Sequence, residues 1–171
     1  MTPIKLVVFD IDDTLWYSVD DAEAVYRFEP ISERRVADHV GHAQELVPNA
    51  RKVLRILKEK GYEIGIGTMG PEDQVKSFMK GFGIENFFDF SISAFDREDK
   101  DLKILKILEA AQEKMTIEPK EIVFIDDNLG YLQAVNSRFP DVKCIWAHYR
   151  MEPGLCMLNE DMEEMHGFSL W

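Results

Sequence analysis

Cysteine is scarce in this 171-residue chain. Its two cysteines, Cys144 and Cys156, are too few for a disulfide framework and lack metal-ligand spacing, so a reducing compartment is expected. Long apolar runs are missing as well. None approaches the roughly 18 residues of a membrane span, and MTPIKLVVFD has only a short apolar run before Asp10, which argues against a cleaved signal and for a cytoplasmic location. Basic residues are also in deficit, 20 Lys and Arg against 32 Asp and Glu, for a net charge of -12. Such a surface disfavours a general partner of nucleic acid or anionic membrane, because phosphate backbones attract Lys and Arg. An anionic substrate would need local help from a cation. What the chain does have is 46% apolar residues, ordinary for a globular core, and a length that predicts about one domain.

Along that domain, strand and helix patterns alternate. Ile4 to Phe9 (IKLVVF) is a β-branched, apolar run that breaks into the acidic DIDD, the way a buried strand ends at a loop. Glu63 to Thr68, Phe88 to Ser93, Ile122 to Ile125 and Lys143 to Ala147 read as four more strands. Helices are predicted over Ala50 to Lys60, with Gly61 as a stop, Glu72 to Lys80, Asp101 to Lys114 and Leu129 to Arg138. The alternation predicts an α/β fold, a parallel sheet with helices on both faces, whose sites lie beyond the carboxyl ends of the strands.

Two stretches stand outside the alternation. Ser18 to Val47 is polar and far longer than the usual connection of 2–6 residues, so it reads as an insert. The tail from Met151 to Trp171, rich in Met, predicts a short helix packed on the body or on another chain. The expected organisation is therefore one domain over 1–171, with a small substrate-facing insert at about 18–47 and a helical tail at about 151–171.

The chemistry sits at three strand ends: Asp10, Asp12, Asp13 and Thr14 after the first strand, Thr68 after the second, and Asp126 with Asp127 after the fourth. In a parallel sheet these ends share one edge, where the carboxylates would repel one another. Such a cluster is tolerated when a divalent cation or shifted pKa values compensate, and an all-oxygen set suits Mg²⁺. A lysine would complete a phosphoryl site. A helix starting near Asp101 puts Lys103 in its first turn, where helix N–H groups and ammonium would both face an anion; Lys100, just before that turn, competes.

FDIDDTLW, the hydroxyl of IGIGTMG, a lysine before the fourth strand and FIDDN, in that order, resemble the four motifs of the haloacid dehalogenase superfamily. The nearest likeness is to its small magnesium-dependent phosphatases and FkbH-type domains. HVGHAQELVPNARKVLRILKEKG is similar to the segment these phosphatases place between the first motif and the first helix, and the resemblance spans roughly residues 4 to 147. It implies a Rossmann-like sheet with a minimal cap insert, and a Mg²⁺-dependent phosphomonoester hydrolase working through an aspartyl phosphate.

Carried over by residue, the resemblance makes Asp10 the nucleophile and Asp12 the general acid and base. Thr68 would hold the phosphoryl oxygens, with Thr14 and Met69 shaping that site. Lys103, or else Lys100, would neutralise the phosphate. Mg²⁺ would bind Asp10, the Asp12 backbone carbonyl, Asp126 and Asp127. Met69 and Gly70 after Thr68, and Asn128 and Gly130 after the acidic pair, depart from the polar or charged residues of relatives.

Two further readings would keep the same residues: a phosphotransferase or mutase, and a non-catalytic phosphate- or metal-binding module. A receiver domain shares the residue types, but its known order of motifs does not match. His39 and His42, three apart, lack a third ligand and read as surface or substrate-facing residues. An uncapped site would admit a bulky phosphoester, with recognition falling to Tyr26, Arg27, Arg34, Arg35, His39 and His42 of the insert. The plainer alternative has Arg34 and Arg35 balancing Glu29 and Glu33. Oligomeric state is left open.

Overall fold

Strand β1 (Leu6–Phe9) is buried at all four residues, as the unbroken apolar run requires of a central parallel strand. Its side chains alternate between two cores. Val7 and Phe9 join Ile64, Ile66, Val123 and Ile125 on one face, while Leu6 and Val8 join Ile122 and Phe124 on the other. This computed structural model describes residues 3–20, 27–93 and 99–147. Tyr26, His148 and the tail from Met151 lie outside those residues.

Around β1 the sheet is built from β6 (Glu63–Thr68), β7 (Phe90–Ser93), β8 (Ile122–Asp126) and β9 (Lys143–Trp146). Their order is β7-β6-β1-β8-β9, and every pairing is parallel. The chain therefore works outward from β1 on one side and then on the other. Loops after β1 and β8 diverge at that reversal, the place where doubly wound sheets open a crevice. Helices α1 (Ala50–Glu59) and α2 (Glu72–Phe82) cover one face through Leu54, Leu57, Val75, Phe78 and Phe82. Helices α3 (Lys100–Gln112) and α4 (Leu129–Arg138) cover the other through Ile104, Ile107, Leu132 and Val135. Each such buried aliphatic side chain contributes roughly 1.5–3 kcal/mol. Gly61 ends α1 at φ 84, a left-handed conformation that a side chain would strain. Its N–H reaches Lys58 O at 3.0 Å, and the Tyr62 N–H reaches Leu57 O at 3.1 Å.

The five parallel strands and four helices agree with the sequence pattern, but the insert has more structure than its polarity suggested. It forms an antiparallel sheet in the order β2-β5-β4-β3, from β2 (Trp16–Ser18), β3 (Glu29–Pro30), β4 (Arg35–Ala37) and β5 (Ala43–Leu46). This sheet docks on α2. Val36 is fully buried, the Phe28 and Phe78 rings are 4.0 Å apart, and the Phe28 N–H donates to Ser77 Oγ at 3.3 Å. A Cβ on Gly81 would sit 3.0 Å from Val36 Cγ1, so the bare glycine is what permits the approach. Arg51 of α1 clamps the two parts, donating to Glu33 O at 2.9 Å and Phe82 O at 2.7 Å.

Candidate active site

Beyond β1 the DIDD segment turns sharply. The N–H groups of Thr14, Leu15 and Trp16 all point to Ile11 O, at 3.1, 2.7 and 3.2 Å, and Asp13 takes φ 56. An aspartate tolerates that left-handed conformation better than most residues. Asp10 itself is fixed by its N–H on Ile125 O at 2.8 Å, which couples the β1 loop to β8. Thr14 is buried beside it, and Thr14 Oγ1 has no hydrogen-bond partner among the described residues.

Asp126 ends β8 and is fully buried, with Asp127 half-buried after it. One carboxylate oxygen from each of Asp10, Asp126 and Asp127 lies within 4.8 Å of the others. Into this group reaches the ammonium of Lys100. It contacts Asp10 Oδ1, donates to Gly67 O at 2.8 Å and stands 3.2 Å from Asp126 Oδ2. Asp12, from the same loop, keeps an exposed edge, yet dense protein around the rest of the carboxyl still desolvates it.

Crowded around the Lys100 ammonium, these carboxyls are all held above the usual carboxylate range. Burial pushes Asp126 up to about 7, and the Asp10 charge adds to the effect. Burial followed by the Asp10 charge likewise pushes Asp12 up to about 6. Asp127 rises for the same reasons. Asp10 is raised by burial despite the opposing pull of Lys100. An all-oxygen cluster short of positive charge, with Asp126 Oδ2 buried and lacking a hydrogen bond, fits a hard divalent cation such as Mg²⁺.

Thr68 closes β6 on the other side of β1. It is fully buried, and Thr68 Oγ1 accepts from the Gly70 N–H at 3.0 Å. Met69 beside it is half-exposed.

The family model for haloacid dehalogenase-like hydrolases matches residues 19–135, more than half of the chain. The chain belongs to this family. Among relatives of these hydrolases, a phosphoglycolate phosphatase of Haemophilus influenzae is 27% identical over 95 residues, 53% of this chain and 40% of that protein. The chain thus spans well under two thirds of that relative's length. Two solved structures share the fold. One is a predicted phosphoglycolate phosphatase from Haemophilus somnus, with a TM-score of 0.67, 17% identity and coverage of 92% of this chain and 91% of that one. The other is the N-terminal part of a Bacteroides fragilis protein containing a phosphatase domain complexed with Mg, with a TM-score of 0.64, 16% identity and coverage of 97% and 41%. The family match takes in Thr68, both lysines and the Asp126–Asp127 pair, but begins after Asp10 and Asp12.

In this dehalogenase-like hydrolase it is Lys100, of the two candidate lysines, that contacts the carboxylates. Helix α3 begins at Lys100, one residue earlier than the expected start at Asp101, so Lys100 lies in its first turn. Lys103 is fully buried a turn further on, packed against β6 at Gly67. Arg34 and Arg35 are also differently employed than expected: both guanidiniums grip the buried carboxylate of Glu45 across β4 and β5, and Arg34 Nε donates to Leu46 O at 3.3 Å. His42 sits 3.3 Å from Asp38 in the β4–β5 turn and His39 is exposed; neither joins the carboxylate cluster among the described residues.

Three further residues support the site. Asn128 caps α4, with Asn128 Oδ1 accepting from the Gly130 N–H at 2.9 Å, and its own N–H donates to Asp126 Oδ1 at 2.8 Å. Trp146 Nε1 donates to Asp127 O at 2.8 Å. The Tyr131 ring centroid lies 5.3 Å from Lys100 Nζ. An Asn directly before a helical run is a readable cap signal; the other two depend on how β9 and α4 pack.

Proposed function

We propose that this chain hydrolyses phosphomonoesters through covalent catalysis by Asp10. The observation that carries the reading is the placing of Asp10 between the Lys100 ammonium and the Asp126–Asp127 pair, in reach of both. A carboxylate between a cation and a metal-binding pair can approach phosphorus without the repulsion that two anions otherwise meet.

Asp10 Oδ attacks phosphorus as the bond to the leaving oxygen breaks, and Asp12 delivers its proton to that oxygen. An acid near 6 suits the task, since it holds a useful share of protons near neutrality and can take one back. Asp12 then removes a proton from water as water attacks the aspartyl phosphate, which returns Asp10 and releases inorganic phosphate. Lys100 and the Thr68 hydroxyl hold the phosphoryl oxygens, with Thr14 and Met69 shaping the loops on either side. Lys103 supports β6 from behind.

Mg²⁺, held by Asp10, Asp126, Asp127 and the Asp12 backbone carbonyl, supplies charge neutralisation at the transferred group when bound. The substrate class favoured is a bulky phosphoester. Val36, Phe28 and Arg51 fasten the described part of the insert to α1 and α2, an arrangement suited to a fixed wall rather than a closing lid.

The test is turnover of an aryl phosphate with Mg²⁺ by the full chain and by Asp10→Asn. Activity that vanishes in the variant and in EDTA, together with an acid-quenched phosphate mapped to Asp10, is expected. Undiminished turnover by Asp10→Asn would overturn the assignment. A panel of small and macromolecular phosphoesters then tests the substrate class, and a preference confined to small sugar phosphates would reject it.

A further inference from the structure

The geometry points to Tyr131 as a positioning residue that holds the Lys100 ammonium in its working place; this rests on Lys100 being the site lysine. Lysine is a compact charge on a stem with several rotatable bonds. Lys100 is almost wholly buried, and its ammonium donates to Asp10 Oδ1 and Gly67 O and stands 3.2 Å from Asp126 Oδ2. Two of those three oxygens belong to carboxylates that the proposed reaction itself engages. When Asp10 turns to phosphorus, the ammonium loses its tightest partner and is drawn toward Asp126. Of the acceptors only Gly67 O does not react, and the Tyr131 ring, 5.3 Å away, adds a second hold that does not react. It lies within the range at which an aromatic face attracts a cation.

The ring is itself held by the residues that set the acidic pair. Asn128 Oδ1 accepts from the N–H groups of Gly130 and Tyr131 at 2.9 and 3.4 Å, while the Asn128 N–H binds Asp126 Oδ1 at 2.8 Å. One turn thus orients both Asp126 and the aromatic neighbour of Lys100. A second, independent tie runs between the same helices: Arg138 of α4 donates to Asp101, the residue after Lys100, at 2.8 Å. The first turn of α3 is held to α4 at two adjacent residues. Gly67 O, the remaining partner, belongs to β6 and does not move with either helix.

The role belongs to the ring and not to the hydroxyl, which separates it from simple packing or from acid–base chemistry. With an aryl phosphate and Mg²⁺, Tyr131→Leu is expected to lower kcat about tenfold with little change in KM. Tyr131→Phe should keep at least about half of the activity by the same reasoning. In a Lys100→Met background, Tyr131→Leu should have no further effect, since the residue acts through the lysine.

A readout independent of turnover is the labelling of Lys100 by trinitrobenzenesulfonate, followed by peptide mass mapping. Labelling should rise severalfold in Tyr131→Leu and stay at the wild-type rate in Tyr131→Phe, with both variants folded by circular dichroism. Equal labelling of Lys100 in all three proteins overturns the inference, as does a loss in Tyr131→Phe equal to that in Tyr131→Leu. If Lys100→Met retains full turnover, the assignment of the site lysine fails; if Lys100→Met is inactive but Tyr131→Leu is not, only the role of Tyr131 fails.

Discussion

Asp12 combines an exposed edge with a raised pKa, and that pairing decides which step should suffer most from its loss. A carboxyl that protonates near 6 can serve as acid and then as base. Asp12→Asn keeps the shape and removes both functions, so kcat on a poorly activated phosphoester should fall by roughly 10²–10⁴. With an activated leaving group, which needs little protonation, phosphate should accumulate on Asp10 and be visible by acid-quench mass spectrometry. A phosphate found on another residue would reject the division of roles. The lysines give a second comparison. Lys100→Met removes the cation in contact with Asp10 and should lower kcat by orders of magnitude. Lys103→Met leaves that contact intact and should change kcat by only a few-fold while shifting thermal stability. At this scale the sequence was legible for the acids, because an Asp ending an apolar run in a parallel sheet can only lie on the carboxyl edge. It left the choice between Lys103 and Lys100 open, because a helix start is uncertain by a residue or two and one residue turns a helical side chain by about 100°.

Elements differed in how plainly they could be read. The central strands β1, β6 and β8 announced themselves as apolar runs buried on both faces, and α1 as a 3.6-residue stripe that stops at Gly61. The insert gave no such signal. Its strands have two to four residues, too short for a period to emerge, and Gln44 and Glu45 are polar yet buried. Glu45 can be buried because Arg34 and Arg35, which the sequence offered either to a substrate or to Glu29 and Glu33, neutralise it. The docking of this sheet on α2 depends on the bare Gly81, whose added Cβ would meet Val36 Cγ1 at 3.0 Å and Phe28 O at 3.3 Å. Backbone cannot yield as a flexible side chain does. Gly81→Ala should therefore destabilise by about 1–3 kcal/mol, despite the better helix propensity of alanine. The melting temperature should drop by roughly 2–4 °C per kcal/mol. A rise in melting temperature would show that the insert can shift away from α2 without penalty.

Across the whole molecule, acidic charge is tolerated least at the carboxyl edge of the sheet, where Asp10, Asp126 and Asp127 converge beside Asp12. Asp126 is pushed up to about 7 and Asp12 to about 6, with Asp10 and Asp127 also raised, whereas the unfolded chain releases these protons near pH 4. The sign follows from that difference. Below about pH 4 both states hold the protons and the cluster carries no penalty; as pH rises toward 7 the unfolded chain ionises first, and stability is lost over that window. Asp89 and Glu121, whose pKa values are lowered chiefly by their lysine partners Lys58 and Lys5, act in the opposite sense. Their contribution is present above the unfolded carboxylate range and lost on acidification. The metal-free protein should therefore be less stable at about pH 8 than at about pH 5.5. A divalent cation needs the same carboxylates deprotonated, so Mg²⁺ should stabilise most where the cluster alone destabilises most, by about 2.7 kcal/mol at a hundredfold excess over its Kd. Thermal melts in EDTA and in excess Mg²⁺ at the two pH values measure this directly. The expected Mg²⁺ shift is several degrees at the higher pH and much smaller at the lower. Asp126→Asn should remove most of the pH dependence and most of the Mg²⁺ response together, because the same buried oxygens carry both. Loss of one without the other would separate the pH-sensitive cluster from the metal site and place the cation elsewhere on the chain.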